Sequence, residues 1–497
     1  MSNANSSDRA SSGIAGLDLV LCGGFPRDQM YLIEGDPGAG KTTLALQFLM
    51  QGAASRERCL YIVLAESERE VRRLAASHGW DLAGVDVVRG VERQTRRDQE
   101  YKFYPPAEIE LEQVTSGIIA LLDKYKPQRV VFDTLSELRL LAQDRLRYRR
   151  LILALKERFE ETPMTVLLLD FLSSGEDRQL ETLCHGFMTL EQLAPEYGGQ
   201  RRRLRIRKLR ESQFRDGYHD FTLEQGGLEV HPRLVASKRH KYEYKHETCS
   251  SGIPELDQLL GGGLDRGTTT LIMGPAGVGK STLAAQCAKV FVERGERAAL
   301  FIFDEVPDTY VVRGEGLGMG IRKHIEEGRL SIQPVDPAQL SPGAFAHAVR
   351  DAVEQQGAHL VVIDSVNGYQ SAMPEEHFLH THLHELLAYL NQQRVVTILI
   401  MTQSGLLGQG ITSPVELSYL ADGIILLRYF EAAATVRQAV SVVKRRTGPH
   451  ERTIRELTMG PHGVAIGAVL SEFTGVLTGQ LVYTGDGPPT PRDPAGT

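Results

Sequence analysis

Short apolar runs recur along the chain, and longer amphipathic segments separate them. The runs are MYLIEG, CLYIVLAE, RVVFDT and TVLLLD in the first half and TTLIMG, ALFIFDE, LVVIDS and VTILIM in the second half. Uninterrupted Val, Ile and Leu between turn residues is typical of strands that are buried on both faces of a mostly parallel sheet. The pattern therefore predicts an α/β protein.

Two later segments show a different pattern, in which polar and apolar residues alternate. They are RRLRIRKLR, from Arg202 to Arg210, and RQAVSVVKRR, from Arg437 to Arg446. A period of two residues predicts strands that expose one face.

The chain contains one unit twice. SGIAGLDLVLCGGFPRDQMYLIEGDPGAGKTT, which begins at Ser12, aligns without a gap with SGIPELDQLLGGGLDRGTTTLIMGPAGVGKST, which begins at Ser251, at an offset of 239 residues. This period is far too long for a solenoid, so we interpret it as a duplicated domain. The predicted domains are residues 12–236 and 247–484, and a charged linker, residues 237–246, joins them.

Composition narrows the class of protein. A length of 497 residues suits two large domains, and 42% hydrophobic with 24% charged residues is typical of a soluble globular chain. The net charge of −7 argues against a general nucleic-acid binder. No apolar stretch resembles a secretory signal or a membrane span, so a cytoplasmic location without membrane contact is expected.

Polar residues 1–11 and the Pro- and Gly-rich residues 485–497 are predicted to be disordered, because they have little to bury. The five cysteines are scattered without a metal or redox spacing, and we expect them to be reduced and mostly structural. They are Cys22, Cys59, Cys184, Cys249 and Cys287.

Each unit has a phosphate-binding loop of the form G-x-x-x-x-G-K-[ST]. Its glycines let backbone N–H groups face phosphate oxygens, the next helix adds its positive end, and the lysine reaches the terminal phosphates. The predicted phosphate-binding residues are Gly35, Asp36, Pro37, Gly38, Ala39, Gly40, Lys41, Thr42 and Thr43 in the first unit, and Gly274, Pro275, Ala276, Gly277, Val278, Gly279, Lys280, Ser281 and Thr282 in the second.

Two aspartates end apolar runs at similar distances from the loops. Asp133 ends RVVFD and Asp364 ends LVVID. Such an aspartate is the usual partner of Mg²⁺ in this class of loop, together with the hydroxyl of Thr42 or Ser281. The simpler alternative is that each aspartate caps the turn that follows its strand.

Glu66 and Glu305 each follow their loop lysine by 25 residues, at the end of the next strand. Strand ends beside a phosphate loop face the γ-phosphate, where a carboxylate can orient or deprotonate a nucleophile. A solvated carboxylate at a strand end is the alternative. The second unit adds Asp304 before its glutamate, whereas the first has Ala65.

The doubled RecA-like loop unit, the GWDL that follows the first acidic motif, and IILLRY, VVKRR and RTIREL near the end resemble the KaiC family of ATPases over residues 12–467. The resemblance implies two tandem RecA-like P-loop NTPase domains with mostly parallel central sheets. It also implies a homohexameric double ring with ATP and Mg²⁺ at subunit interfaces, in which the first ring hydrolyses ATP and the second phosphorylates and dephosphorylates itself. Lys41, Lys280, Glu66, Asp304 and Glu305 are the implied catalytic residues.

The resemblance also assigns residues that reach the neighbouring subunit's nucleotide. Lys208, Leu209, Arg210 and Ser212 match the family's K-L-R-x-[ST] segment, and Lys444, Arg445 and Arg446 stand at the equivalent place. A basic strand face in water is the alternative. For the dense arginine run from Arg201 to Arg210, contact with nucleic acid is another.

The family's phosphorylation pair aligns with Ser418 and Tyr419, because an aspartate and the run IILL follow closely. Ser418 keeps a hydroxyl that can be phosphorylated, whereas Tyr419 departs from the usual Ser or Thr. The resemblance therefore implies a serine autokinase in signalling or timing, with a KaiB-like or signalling protein as a candidate partner. The competing interpretations are a DNA-dependent ATPase of the RecA or DnaB kind and a nucleotide-bound scaffold with negligible turnover.

Overall fold

The structure, a computed structural model, describes residues 8–90, 106–172, 179–194, 198–235, 246–336, 338–371, 379–403, 417–477 and 481–485. The chain divides into two compact units between Arg233 and Leu234. Among the helices in these ranges, none combines the length and the apolar character that crossing a bilayer requires.

The first unit contains alternating strands and helices. Its strands are β1 (Arg9–Ala10), β2 (Phe25–Pro26), β3 (Met30–Gly35), β4 (Cys59–Val63), β5 (Val85–Arg89), β6 (Arg129–Asp133), β7 (Thr165–Phe171), β8 (Gly186–Leu193), β9 (Arg201–Leu209), β10 (Tyr218–Glu224) and β11 (Gly227–His231). Its helices are α1 (Ala15–Val20), α2 (Lys41–Ala54), α3 (Glu68–Ser77), α4 (Pro106–Tyr125), α5 (Leu135–Ala142), α6 (Arg145–Glu161) and α7 (Gln179–Leu183).

The second unit repeats this alternation. Its strands are β12 (Thr248–Cys249), β13 (Leu264–Asp265), β14 (Thr269–Gly274), β15 (Arg297–Ile302), β16 (Leu330–Pro334), β17 (Ala358–Asp364), β18 (Val396–Thr402), β19 (Gly423–Ala432), β20 (Thr435–Arg445), β21 (Arg455–Gly460), β22 (Gly463–Val469), β23 (Phe473–Thr474) and β24 (Val482–Tyr483). Its helices are α8 (Pro254–Leu259), α9 (Lys280–Glu293), α10 (Pro307–Gly316), α11 (Ile321–Glu326), α12 (Pro342–Glu354), α13 (Val366–Ser371), α14 (Leu379–Gln392) and a 3₁₀ turn at Leu417–Tyr419.

Each unit is built on a nine-stranded sheet. The order is β11-β10-β9-β8-β3-β7-β6-β4-β5 in the first unit and β16-β15-β17-β18-β14-β19-β20-β21-β22 in the second. Neighbouring strands are parallel throughout β5-β4-β6-β7-β3-β8 in the first sheet and β16-β15-β17-β18-β14-β19 in the second. The remaining strands, β9 to β11 and β20 to β22, pair antiparallel with their neighbours. The prediction of two mostly parallel α/β domains is confirmed.

The central strands are buried on both faces, as their uninterrupted apolar runs predict. In β3, Tyr31 and Ile33 pack into one core of the first unit, whereas Met30 and Leu32 pack into the core on the other face. Helices cover both faces, because a parallel sheet needs a crossover between successive strands.

The two basic strands differ from each other. In β9 the buried side chains Leu204 and Ile206 alternate with half-buried arginines, as predicted. In β20, by contrast, residues 439–442 are buried in succession. The alternating pattern therefore predicts a strand correctly in both places. Its prediction of one exposed face is correct for β9 and wrong for β20.

The predicted disordered N-terminal segment, residues 1–11, extends too far along the chain. Arg9 and Ala10 form β1, which pairs with β2, and Ala10 is fully buried. A strand of two residues is stabilised by its partner rather than by its own sequence, so its pattern could not reveal it. Residues 1–7, most of the predicted linker and residues 486–497 lie outside the described residues.

Candidate functional site

The loop between β3 and α2 has a backbone that favours glycine. Gly38 and Gly40 have φ angles of 79° and 98°. A side chain at Gly35 would place its Cβ only 2.7 Å from the carbonyl oxygen of Leu190. Positive φ and close backbone approach are the two conditions that exclude most other residues. The loop therefore holds its peptide groups in a fixed arrangement at the carboxyl end of the sheet.

The loop between β14 and α9 repeats this geometry. Gly277 and Gly279 have φ angles of 79° and 99°, and a Cβ at Gly274 would lie 2.6 Å from the carbonyl oxygen of Leu427. In each unit the loop lysine is the first residue of the following helix. The N–H groups of the first turn therefore face the space in front of the loop.

Both loop lysines are buried against their own loops. Lys41 Nζ donates to the carbonyl oxygens of Gly35 and Asp36, at 2.7 and 2.9 Å, and lies 4.9 Å from the ring centroid of Phe171. Lys280 Nζ donates to the carbonyl oxygen of Pro275 at 2.7 Å. Burial lowers the pKa of Lys41, and it lowers the pKa of Lys280 to about 8.

The lowered pKa of Lys280 predicts a pH-dependent affinity for ATP at the second unit. Lys280 is mostly charged at pH 7 and loses its proton as the pH rises through about 8. A bound phosphate favours the charged form, so binding must take up a proton above that pH. In a Lys41→Ala background, we expect ATP to bind about tenfold more weakly at pH 9 than at pH 7, measured by titration calorimetry.

The matched control for this experiment is Lys280→Arg in the same background. Arginine stays charged throughout this range, so the variant should lose the pH dependence. If the Lys280→Arg variant lost as much affinity between pH 7 and pH 9 as the protein that keeps Lys280, the assignment of the pH dependence to this lysine would be contradicted.

Each predicted metal pair is brought together. Thr42 Oγ1 donates to Asp133 Oδ2 at 2.8 Å, and the Tyr61 hydroxyl donates to the same oxygen at 2.5 Å. In the second unit Ser281 hydrogen-bonds to Asp364. Both aspartates end their strands beside the loop, as the sequence predicts, and in both units the next peptide bond is cis. Hydroxyl and carboxylate oxygens are ligands that suit Mg²⁺.

Glu66 lies at the same edge of the sheet and accepts no hydrogen bond within the part of the chain that the structure describes. Loss of hydration, and then the negative charges of Asp133 and Glu70, raise the pKa of Glu66. Helix α3 begins directly after it with a capping box between Ser67 and Glu70. This cap holds the helix start, and hence the position of Glu66.

The two acids of the second unit are both engaged. Asp304 Oδ2 accepts from the Ser365 hydroxyl at 2.5 Å. Glu305 accepts from Arg313 Nη1 with both carboxylate oxygens, at 2.6 and 2.8 Å. The paired acids of the second unit therefore have different partners, and the single acid of the first unit has none among the described residues.

The predicted trans-acting lysines hold equivalent backbone turns. Lys208 Nζ donates to the carbonyl oxygens of Glu181 and Cys184, both at 2.7 Å. Lys444 Nζ donates to those of Ser418 and Ala421, at 2.6 and 2.8 Å. Burial, and then a neighbouring arginine, lowers the pKa of each lysine.

The middle residue of each K-x-R segment points into its own unit. Leu209 is buried, and Arg445 is 5% exposed in an ion pair with Asp265, which is 7% exposed. Arg445 Nη2 lies 2.9 and 3.1 Å from the two carboxylate oxygens. The prediction that these two side chains reach a neighbouring nucleotide is therefore corrected, because adjacent residues of a strand face opposite sides.

The remaining predicted residues lie near the surface. Arg210 donates to the carbonyl oxygen of Thr182 at 3.1 Å, and Arg446 pairs with Asp422 at 3.3 Å. Ser212 Oγ accepts from Arg9 Nη2 at 2.8 Å. Ser418 is exposed on the 3₁₀ turn.

The two basic segments, residues 208–210 and 444–446, lie near the amino ends of β3 and β14. The phosphate loops follow the carboxyl ends of the same two strands. Arg210 N donates to the carbonyl of His185, whose N–H donates to Met30, the first residue of β3. The loop begins at the last residue of β3, five steps away. At about 3.3 Å per residue, the separation is about 17 Å. Arg446 connects through Asp422 to the first residue of β14 in the same way.

Comparison with known proteins agrees with this doubled arrangement. The family model described as "ATPase: KaiC" matches residues 10–235 and again residues 249–471. The chain belongs to the KaiC ATPase family. Its similarity to individual members is low but extends over almost the whole length.

Two relatives show this extent. The chain is 25% identical to "Circadian clock protein KaiC3" of Synechocystis sp. over 493 residues, 96% of this chain and 95% of that protein. It is 24% identical to "Circadian clock oscillator protein KaiC" of Acaryochloris marina over 472 residues, 94% of this chain and 90% of that protein.

The arginine run of this KaiC-family chain has several partners within its own unit. Arg203 pairs with Glu191 at 2.7 Å, and its guanidinium lies 4.0 Å from the ring centroid of Tyr218. Arg205 lies 5.5 Å from the same ring. These contacts stabilise the antiparallel strands, so this part of the run has an intradomain function.

Three residues of the candidate sites were missed by the sequence analysis: Tyr61, Arg313 and Ser365. Tyr61 lies within an apolar run, and nothing in the pattern marks its hydroxyl. Ser365 directly follows Asp364, where it resembled an ordinary turn residue. Arg313 could have been found, since the offset of 239 residues places it opposite Leu74 of the first unit.

Proposed function

We propose that this protein is a KaiC-like ATPase that binds ATP with Mg²⁺ at both units, assembles as a homohexamer, and phosphorylates and dephosphorylates itself at Ser418. Membership in the family supports an ATPase. The finer assignments depend on the residues, and the separation of loop and basic segment across one strand is the observation that carries them.

The residues fit the two cofactors. The glycines of each loop leave space where a Cβ would collide, and the loop lysine supplies a cation for phosphate oxygens. The hydroxyl and carboxylate pairs Thr42 with Asp133 and Ser281 with Asp364 would hold Mg²⁺, which neutralises charge on the phosphates when it is bound.

The catalytic roles follow from the position of each acid. In the first unit, Glu66 orients a water molecule for attack on the γ-phosphate and takes its proton. Its raised pKa brings it closer to the working pH of a general base. In the second unit, Glu305 performs this step on either water or the Ser418 hydroxyl, and Asp304 is the second acid.

The geometry of the basic segments supports assembly. A side chain of Lys or Arg cannot span the roughly 17 Å between the two ends of β3 or β14. This separation supports our proposal that Lys208, Arg210, Lys444 and Arg446 act on the nucleotide of a neighbouring chain, where they offset charge that develops on the γ-phosphate. Ser418 lies at the same end and is likewise presented to a neighbour.

The proposal is tested on the full chain incubated with ATP and Mg²⁺. We expect phosphate release, a native mass of six chains, and one added phosphate in the intact mass. A monomer that retains no adenine nucleotide in either unit would overturn the proposal. Turnover that requires single-stranded DNA would instead favour a DNA motor, and nucleotide retention without turnover would favour a scaffold.

Ser418→Ala is expected to lose the added phosphate while the hexamer persists, because only one hydroxyl is removed from an exposed turn. Thr435→Ala, which removes another exposed hydroxyl, is the matched control and should keep the phosphate. Tyr419→Phe should also keep it. Phosphate that is retained in Ser418→Ala but lost in Tyr419→Phe would move the site to Tyr419.

The biological setting is part of the proposal. Both relatives named above are called circadian clock proteins. A role in signalling or timing, with a KaiB-like or signalling protein as partner, agrees with these names. A switch of this kind needs charge added at a subunit interface, and phosphate on Ser418 would supply about two negative charges there.

A further inference from the structure

We propose that Arg313 is a positioning residue of the second site, which pairs with Glu305 inside the same chain and so restrains the base of that site. The inference rests on the proposed function of Glu305. It adds a reason why the two units should turn over ATP at different rates.

The contact occupies both oxygens of the carboxylate. Arg313 Nη1 lies 2.6 Å from Oε1 and 2.8 Å from Oε2 of Glu305. An arginine bond to a carboxylate is charge-assisted and stronger than a neutral hydrogen bond. A carboxylate whose two oxygens both accept from one guanidinium is held in place and is less free to reach a water molecule or a serine hydroxyl.

Neighbouring groups place the guanidinium at the reacting end of the site. It lies 4.7 Å from the ring centroid of Tyr310, whose hydroxyl donates to the carbonyl oxygen of Ser281 at 3.2 Å. Burial raises the pKa of Asp364, and a hydrogen bond from Ser281 and the charge of Arg313 partly oppose this rise. Arg313 therefore lies within electrostatic reach of the proposed metal pair.

The second terminal nitrogen of Arg313 makes the pair unusual. Nη2 is buried and has no hydrogen-bond partner among the residues that the structure describes. An ion pair that served only to stabilise the fold would be expected to satisfy its buried donors, since an unpaired one is unfavourable. The unpaired donor therefore favours a role for Arg313 beyond stabilising the fold.

The first unit provides an internal comparison. Helices α3 and α10 occupy corresponding positions at the offset of 239 residues, from Glu68 and Pro307 to Ser77 and Gly316. In the first unit Leu74 replaces Arg313 and packs against the core. The base Glu66 consequently has no such cation, and it accepts no hydrogen bond among the described residues. The restraint is therefore specific to the second unit.

The test uses the full chain with Glu66→Gln, so that turnover reports the second unit. Arg313→Met should raise kcat for ATP at least about tenfold, the effect of removing one charge-assisted hydrogen bond. KM should stay within about threefold, since Lys280 and the loop are unchanged. Arg313→Lys, which keeps a cation, should return kcat toward the parent value. Arg313→Gln is a second neutral variant in case the methionine protein does not assemble.

The outcomes separate this inference from the proposed function. Adding Glu305→Gln to Arg313→Met should abolish the gain in kcat. If kcat of both neutral variants equals or falls below that of the Glu66→Gln parent, Arg313 does not restrain the base, and the inference fails alone. If a Glu66→Gln, Glu305→Gln protein keeps the turnover of the unmodified chain, neither acid is a base, and the proposed function fails first.

Discussion

Glu66→Gln is expected to lower ATP turnover at the first unit by about 10²- to 10⁴-fold, the usual contribution of a positioned general base. Glutamine keeps the shape of the side chain but cannot accept the proton of the attacking water. The rate should be measured in a Glu305→Gln background, where the first unit supplies the turnover. ATP affinity should change less than about twofold, because Glu66 has no contact with the loop lysine or its carbonyl partners.

Glu68→Gln is the matched control for this measurement. Glu68 is exposed and pairs with Arg72 on the surface of α3 at 2.8 Å. An exposed pair of this kind contributes little, so neither turnover nor stability should change measurably. If Glu68→Gln lost as much turnover as Glu66→Gln, the effect would reflect damage to α3 rather than the loss of a base.

The pH dependence of the first unit adds a second readout. Loss of hydration and the charge of Asp133 raise the pKa of Glu66 above its usual value of 4.5. A base works only when deprotonated, so hydrolysis should decline as the pH falls through that raised pKa. The decline should therefore begin at a higher pH than for an unperturbed glutamate.

Arg445→Met is expected to destabilise the second unit by about 3–5 kcal/mol, because it leaves the carboxylate of Asp265 buried without its main charge partner. Asp265 is 7% exposed and also accepts from the Thr447 hydroxyl. That hydroxyl is neutral, and His246, whose Nε2 lies 3.2 Å from Asp265 Oδ1, neutralises the carboxylate only when it is protonated. Denaturant unfolding of the second unit, followed by a probe placed there, measures the loss.

Arg446→Met is the matched control, since it removes the adjacent cation. Its side chain is 49% exposed and its partner Asp422 is 20% exposed, so its loss should cost less than about 1 kcal/mol. It should lower turnover instead, if Arg446 acts on a neighbour's nucleotide. Adding Asp265→Asn to Arg445→Met should recover part of the stability, because no buried charge then remains.

The opposite result would restore the original expectation for Arg445. Suppose that Arg445→Met has the same free energy of unfolding as the unmodified chain but loses ATP turnover as Arg446→Met does. The ion pair with Asp265 would then not determine the position of Arg445. Arg445 would then belong with Lys444 and Arg446 at the subunit interface, as the sequence predicts.

The fold and the phosphate loops could be predicted closely from sequence. The apolar runs MYLIEG and TTLIMG predict strands, and they are β3 and β14 to the residue. The reason is that a strand buried on both faces needs an unbroken apolar run, which neighbouring residues alone display. The loops were recognisable because their glycines and lysine act within eight consecutive residues.

The contacts of the charged side chains depend on residues that are distant in sequence. Arg445 and Asp265 are 180 positions apart, and no local pattern indicates that they meet. The same holds for Tyr61 and Asp133, which are 72 positions apart. Such pairs form only after the strands have taken their order in the sheet.

The sequence by itself determined that two α/β units follow one another, that each carries a phosphate loop, and that an acid and an aspartate follow at matching positions. Tertiary structure alone decided which side chains of the basic segments face outward, that these segments lie at the far end of the strand from their own loop, and that Arg313 holds Glu305. The physical reason is that backbone conformation follows from local sterics and burial, whereas partners of charged groups are set by the packing of distant strands and helices.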